Sequence, residues 1–290
     1  MKNRLLISFS GGRTSAYMMW WIMNEWSHRH DFEIVVVFAN TGKESEGTLE
    51  FVNRCSAEWG IPIVWVEARH LDDSGNRYSE KGWGVGHRVV DFETASRKGE
   101  PFEEMTSVLG IPTTNAPFCS DQLKRKAIES YLKSINWKPS SFYKAIGIRS
   151  DEVDRVNENF RKLKIIYVLV SDNPKTELEI QIWWHQQNFD LEIDKDFGNC
   201  DNCWKKDLLR LCRNARKDES SFDWWQKTTD TYGQEVMRPS QEGMTPPFNF
   251  YRGNLSPKDI IEISKFPDNE ISAKAKTWKL DGCSESCEAY

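Results

Sequence analysis

The sequence predicts an α/β protein with a doubly wound, mainly parallel sheet. Short apolar or β-branched runs alternate with segments whose apolar residues recur at helical spacing, and the first three runs give a β-α-β-α-β order. Such an order implies right-handed crossovers between parallel strands. A glycine pair follows the first run directly, at the sheet edge where ligands bind in folds of this class.

Each predicted element has its own signal. The run at 34–38 is continuously β-branched or aromatic, as is typical of a central parallel strand covered on both faces. The segment 71–117 is rich in Gly, Asp, Ser and charge, and it is too long for a connector, so we predict a lid or substrate-specific insertion. The other predicted strands are 5–7, 61–66, 142–148 and 165–170, and the predicted helices are 14–27, a segment around 48–55, 120–134 and 176–188.

Length and composition indicate a globular protein. The chain has 290 residues, of which 39% are hydrophobic and 29% charged, with a net charge of −5, so there is no general basic field for nucleic acid or anionic membrane. No apolar stretch approaches the roughly 20 residues that span a bilayer. We therefore expect a cytoplasmic protein without a membrane segment, in which cysteines serve as ligands, catalysts or buried thiols rather than disulfides. We divide the chain into an α/β domain at 1–197 and an irregular, cysteine-containing extension at 198–290 packed on it.

The loop after the first strand predicts an anion site. Gly11 and Gly12 let the backbone turn tightly, and the first-turn N–H groups of the following helix point at any ligand held there. The hydroxyls of Thr14 and Ser15 can add donors. The pattern is neither the G-x-x-x-x-G-K-[ST] of Walker-type NTPases nor the G-x-G-x-x-G of dinucleotide-binding folds, so neither class is indicated. The alternative is an ordinary strand–turn–helix loop in which a serine caps the helix.

Five segments in order resemble the PP-loop ATP pyrophosphatase and phosphoadenosine phosphosulfate (PAPS) reductase superfamily. They are 10–15 (SGGRTS), 38–44 (FANTGKE), 119–124 (CSDQLK), 146–155 (IGIRSDEVDR) and the C-x-x-C at 200–203. The resemblance implies an adenine nucleotide alpha hydrolase-like (HUP, Rossmann-like) fold. It also implies nucleotide-binding roles for Ser8, Ser10, Gly11, Gly12, Arg13, Thr14, Ser15, Asn40, Thr41, Gly42, Gly147, Arg149, Asp151 and Arg155.

Two positions depart from the superfamily pattern. Asn40 stands where the usual residue is Asp, and Arg13-Thr14 replaces the commoner Lys-Asp. Arg13 keeps the positive charge and has a planar fork that could hold a phosphate through two hydrogen bonds. Phosphate binding is therefore still expected, together with catalytic roles for Arg13, Lys124 and Arg149.

The cysteine pattern is closest to the sulfurtransferase of bacterial DNA phosphorothioation, which has one cysteine, then C-x-x-C, then another cysteine. This resemblance implies a [4Fe–4S] cluster on Cys119, Cys200, Cys203 and Cys212. Structural zinc on Cys200, Cys203, Cys283 and Cys287 is the alternative. Cys212 also lies in an apolar helical run, so it could be a buried core thiol, as we expect for Cys55.

The resemblance implies ATP cleavage between the α- and β-phosphates with Mg²⁺, coupled to transfer of sulfur from a donor. One alternative is a sulfonucleotide reductase in which Cys283 or Cys287 is the nucleophile and a thiol protein the reductant. Another is a zinc-stabilised nucleotide sensor. The acceptor is open, and the acidic net charge argues against unaided binding of duplex nucleic acid. The sequence also leaves a homo-oligomer open.

Overall fold

Six strands form one mixed sheet in the computed structural model, which describes residues 2–79, 84–113, 116–194, 196–198, 200–238 and 241–277. The strand order is β4-β3-β2-β1-β5-β6, and the neighbouring pairs are parallel except for β3 with β4. The α/β class predicted from sequence is confirmed. The strands are β1 (Asn3–Phe9), β2 (Phe32–Asn40), β3 (Ile63–Arg69), β4 (Gly86–Val90), β5 (Tyr143–Ala145) and β6 (Ile165–Ile166).

Helices cover both faces of this sheet. Those before residue 200 are α1 (Arg13–Trp21), α2 (Glu46–Trp59), α3 (Glu100–Leu109), α4 (Lys126–Ser134), α5 (Val168–Ser171) and α6 (Glu177–Trp184). Those after it are α7 (Leu208–Lys217), α8 (Asp223–Tyr232), α9 (Pro257–Ser264) and α10 (Asp268–Thr277). Two π-helical turns, Ile22–Trp26 and Asp121–Arg125, continue α1 and precede α4.

Two hydrophobic cores lie on opposite faces of the sheet because successive strand residues point to opposite sides. On β1, Leu5 and Ile7 pack in the core that contains buried residues of α1, α2 and α6. Leu6, between them, packs in the core that contains residues of α3, α4 and the C-terminal helices. Continuous burial on both faces explains why β1 and β2 have unbroken apolar runs.

The C-terminal region is not irregular as predicted. From residue 208 to 277 it is built largely from α7 to α10, whose apolar residues share one core with the sheet. Leu211, Trp225 and Ile260 are members of that core together with Leu6 of β1. The region therefore packs on one face of the sheet, and the tryptophans at 204, 224 and 225 contribute to its hydrophobic core.

Two further segments differ locally from what the sequence indicated. The segment 71–117, predicted as a lid or insertion, is partly regular: it contains β4, which extends the sheet antiparallel to β3, and α3, whose apolar residues are buried in the core. The predicted strand 165–170 pairs only at Ile165–Ile166, and α5 begins at Val168. The run is mostly buried both in the strand pairing and in the helical turn, so the hydrophobic pattern alone could not separate a strand from a short helix.

Across the described residues, no helix combines the length and apolar character that crossing a membrane requires.

Candidate functional site

The loop between β1 and α1 needs glycine at its first turn. Gly11 has a φ of +80°, which side chains other than glycine rarely adopt. A Cβ atom there would lie 2.8 Å from Cγ2 of Thr48 and 3.1 Å from Cε2 of Phe38. Both the backbone conformation and the close approach of α2 and β2 therefore exclude a side chain at this position.

The N-terminus of α1 is not capped by a serine. Gly12 is the N-cap residue, and no side chain of the described chain caps the helix. Instead, Oγ of Ser10 lies 2.8 Å from Oγ of Ser15, and the backbone N–H of Ser10 donates to Ser15 Oγ at 3.3 Å. The first-turn amides of α1 are thus left without a side-chain acceptor, as an anion-binding helix terminus requires. Ser8, also predicted to contact nucleotide, lies on β1 just before this loop and is partly buried.

Arg13 is engaged by a carboxylate in this structure. Its Nε donates to Asp190 Oδ1 at 2.6 Å, and its Nη2 donates to Asp190 Oδ2 at 2.9 Å and to the carbonyl of Leu191 at 2.7 Å. The planar fork that we expected on a phosphate is therefore occupied by Asp190. It ties the start of α1 to the segment that follows α6, and a role in phosphate binding would require its release.

The loop after β5 forms a second wall beside the glycine loop. A Cβ atom on Gly147 would lie 3.3 Å from Cα of Ser15, so the two loops are in close contact. Nη1 of Arg149 donates to Thr14 Oγ1 at 3.4 Å. The structure thus brings together two segments that are more than 130 residues apart in the chain. They contain most of the predicted nucleotide-binding residues.

Carboxylates hold Arg149 in place. Its Nε donates to Asp151 at 2.9 Å, and its Nη2 lies 3.4 Å from Glu152 Oε1. The same Glu152 oxygen accepts from Arg155 Nη1 at 2.7 Å. The side chain of Arg149 is 17% exposed. The predicted residues Asp151 and Arg155 therefore lie in one ion-pair network with Arg149.

Asn40, the departure from the superfamily pattern, has a structural reason. It is fully buried at the end of β2, where its Nδ2 donates to Glu67 Oε1 at 2.7 Å and to the carbonyl of Ser96 at 2.9 Å. Its Oδ1 accepts from the N–H of Gly42 at 3.1 Å. Glu67 on β3 is 1% exposed, so an aspartate at position 40 would place a second carboxylate against a buried one.

The segment after β2 connects this edge of the sheet to the cysteines. Glu44 Oε2 accepts from both the N–H and Oγ1 of Thr41 at 2.8 Å. Glu44 also forms an antiparallel bridge with Cys200, whose Sγ lies 3.8 Å from Glu44 Oε1 and 3.7 Å from Thr41 Oγ1. Lys124 Nζ lies 3.7 Å from Glu44 Oε1. Lys124 therefore lies beside the cysteines.

Three of the four cysteines predicted to hold a cluster line one small cavity. Its wall includes Cys119, Cys200 and Cys203, together with Lys124 and the ring of Trp225. None of the five described cysteines forms a disulfide. The tertiary structure therefore assembles a thiol-lined cavity from parts of the chain that the sequence separates widely.

Cys212 does not line this cavity. It is fully buried on α7, where its Sγ donates to the carbonyl of Ile260 on α9 at 3.8 Å. Burial raises the pKa of its thiol to about 12, which disfavours the thiolate that a metal requires. This geometry is that of the core thiol that we considered for Cys212. Cys55 is likewise buried in the other core, as predicted.

The predicted cluster site is therefore incomplete in the described part of the chain. Within it, no group of three or more His, Cys, Asp or Glu side chains is arranged to hold a metal ion. Cys283 and Cys287, predicted as nucleophiles or zinc ligands, lie outside the described residues. Of the four predicted ligands, Cys119, Cys200 and Cys203 line one cavity, and Cys212 packs in the core instead.

Several charged residues of this region escaped the sequence analysis. Lys206, 8% exposed, donates from Nζ to the carbonyl of Cys200 at 2.7 Å and to that of Asp201, and burial lowers its pKa. Lys43 Nζ lies 2.7 Å from Asp201 Oδ2 and 4.7 Å from the ring centre of Trp224. The only sequence signal was the proximity of these lysines to the glycine and cysteine segments.

Two phage proteins are similar to this chain. The "Uncharacterized nin region protein ORF290" of Escherichia phage lambda is 32% identical over 292 residues, which cover 98% of this chain and 94% of that protein. The "Uncharacterized 37.8 kDa protein in gpa 5'region" of Escherichia phage 186 is 28% identical over 174 residues, covering 51% of this chain and 48% of that protein. No family model and no solved structure matches. Since the similarity to the lambda protein runs through nearly the whole of both sequences, the chain belongs to the family of the lambda nin region protein ORF290.

Proposed function

We propose that this chain is an enzyme that binds ATP, cleaves it between the α- and β-phosphates and couples the resulting adenylate to sulfur transfer. The observation that carries the proposal is the uncapped N-terminus of α1 behind Gly11 and Gly12. A second loop contributes Arg149, whose Nη1 donates to Thr14 Oγ1 in the first turn of α1. Backbone donors, a helix dipole and a held guanidinium together suit a polyphosphate.

The strand order supports this placement. From β1 the chain moves outward to β2 and β3, and it later returns to β5 and β6 on the other side of β1. The crevice between β1 and β5 is therefore the point where the direction of winding reverses, and open α/β sheets bind their ligands at such a point. Ser10 to Ser15 and Gly147 to Arg149 both lie there. This supports a HUP or Rossmann-like fold of the adenine nucleotide alpha hydrolase type.

In the first proposed step an oxygen of the acceptor attacks the α-phosphorus of ATP. The bond from the α-phosphorus to the bridging oxygen breaks, and pyrophosphate leaves with the Mg²⁺ that accompanies the nucleotide. The loop amides and Arg149 stabilise the charge that develops on the phosphates. The product is an adenylated acceptor whose carbon–oxygen bond to AMP is ready for displacement.

In the second step the sulfur of a sulfide donor bonds to the activated carbon, and AMP leaves with its oxygen, so that the acceptor ends as a thiol. The cavity with Cys119, Cys200 and Cys203 supports a sulfur-handling role, because Thr41 and Glu44 connect it directly to the end of β2. With sulfide as the donor, the bonds and electrons of this step balance without an iron–sulfur cluster.

The test is pyrophosphate release from Mg·ATP by the full chain, together with equilibrium binding of ATP. We expect Arg149→Gln to weaken ATP binding by about tenfold or more, since a charge-assisted hydrogen bond contributes roughly 1.5 to 3 kcal/mol. Arg29→Gln, which removes an equally charged but exposed residue, should leave binding unchanged. Thermal unfolding of both variants checks that they fold.

Three outcomes decide between the hypotheses. Saturable ATP binding with pyrophosphate release supports the proposal. Sulfite release from a phosphosulfate, with no pyrophosphate from ATP, would replace it with the sulfonucleotide reductase. Absence of ATP binding in the folded protein would refute it.

A further inference from the structure

A second cavity lies away from the glycine loop, between the segment at Thr113 and the loop that precedes α9. Its volume is about 380 Å³, which is within the size range of small-molecule sites. Arg238, Gln241 and Asn249 contribute polar groups to its wall, while Phe248 and Tyr251 contribute apolar surface. None of these residues belongs to the proposed nucleotide or cysteine sites.

Arg238 is a buried cation without an anionic partner among the described residues. It is 3% exposed, and within the described ranges its Nε has no hydrogen-bond partner. Its Nη1 donates to the carbonyl of Ile111 at 3.2 Å, and its guanidinium carbon lies 4.3 Å from the ring centre of Phe118. Burial lowers its pKa to about 10, so the group is still charged at neutral pH. Burial of an unpaired charge is costly, so an anionic group bound at this wall of the cavity would stabilise the charge.

A second donor lies beside this guanidinium. Gln241, 3% exposed, uses its Oε1 to accept from the N–H groups of Met237 at 3.0 Å and Arg238 at 3.2 Å. Because its oxygen is fixed as the acceptor, its amide nitrogen is the group left to donate, and no hydrogen bond from that nitrogen is formed within the described residues. Arg238 and Gln241 therefore bring a guanidinium and an amide donor to one cavity wall.

We propose that this cavity binds a small organic oxyanion, with its phosphate or carboxylate group on Arg238 and Gln241. The volume exceeds what an inorganic anion would fill, so the remainder of the ligand packs on Phe248 and Tyr251. Tyr251 also donates from its hydroxyl to the carbonyl of Asn202 at 3.2 Å, within the C-x-x-C segment. The cavity is thus a neighbour of the cysteine site. The proposal does not depend on the ATP site.

Binding of inorganic phosphate and of succinate to the full chain, measured by titration calorimetry and thermal shift, tests this assignment. We expect saturable binding of one of the two probes and a loss of about tenfold or more in Arg238→Gln. Arg29→Gln, altered at an exposed arginine outside both proposed sites, should bind the probe as wild type does. A response to phosphate alone identifies a phosphate ligand, and a response to succinate alone a carboxylate.

A second variant guards against loss of folding. Thr245 lies at the exposed rim of the cavity, so Thr245→Trp should block entry without disturbing the core. It should abolish binding while the unfolding temperature without ligand is unchanged. The proposal is overturned if neither probe binds the wild-type chain, or if Arg238→Gln binds as tightly as wild type. It is also overturned if binding is lost in Arg149→Gln but kept in Arg238→Gln.

Discussion

Asn40→Asp restores the residue usual in the resembling superfamily, and it should destabilise this protein strongly. Asn40 Nδ2 donates two hydrogen bonds, to Glu67 Oε1 at 2.7 Å and to the carbonyl of Ser96 at 2.9 Å. A carboxylate can donate neither of them. It would also lie against the buried carboxylate of Glu67, so the folded state must take up a proton or bear the repulsion.

The size of the destabilisation by Asn40→Asp follows from the free energy of protonating the introduced carboxyl group. At pH 7, about three units above the ordinary aspartate pKa, protonating the introduced carboxyl costs about 4 kcal/mol; at pH 5 the same step costs roughly 1.5 kcal/mol. The pKa of the introduced group is raised in the folded state. Its destabilising effect is therefore small near pH 4 and grows as the pH rises. We expect a loss of this size in the free energy of unfolding.

Urea denaturation of wild type and variant at pH 5 and pH 7 measures this loss. Glu67→Gln is the matched partner, because it removes the buried carboxylate that would repel the one introduced at position 40. In a double-mutant cycle the combination should recover at least about 1 kcal/mol of the loss. A loss below about 1 kcal/mol at pH 7, or one that is equal at both pH values, would contradict the reasoning.

Three further predictions follow from single sites. Gly11→Ala should lower the free energy of unfolding by about 2 kcal/mol or more and abolish ATP binding, because the positive φ and the 2.8 Å approach of Thr48 exclude a side chain there. Urea denaturation and ATP titration measure the two effects. His70 is fully buried, and burial lowers its pKa to about 4, so the folded state resists its protonation. Between pH 6.5 and 4 the free energy of unfolding of the wild type should therefore fall by about 3 kcal/mol more than that of His70→Leu, as urea denaturation can measure. Equal acid sensitivity of both proteins would contradict this. If the chain purified without oxygen contains iron or zinc, Cys119→Ser should lose the metal and Cys212→Ser should retain it. Metal analysis and absorbance measure both. Metal retained in Cys119→Ser, or lost in Cys212→Ser, would contradict the observed geometry.

Local sequence determined the front half of the fold. Apolar runs flanked by helical periodicity gave the order from β1 to β3, because a strand buried on both faces needs an unbroken apolar run. Gly11 was predictable for a similar reason, since its φ is a backbone property that few other residues tolerate. By contrast, β4 and the two-residue β6 are short pairings. They depend on the neighbouring strand more than on their own residues.

The sequence by itself determined the order of the first three strands along the chain, the glycine loop and the presence of a C-x-x-C segment. Only the tertiary structure decided that Asp190 holds Arg13, that Glu67 requires an amide at Asn40, and that Cys212 packs in the core. Propensity and periodicity act over a few residues. Partners distant in the chain meet only when whole helices and strands pack, and no local pattern encodes that packing.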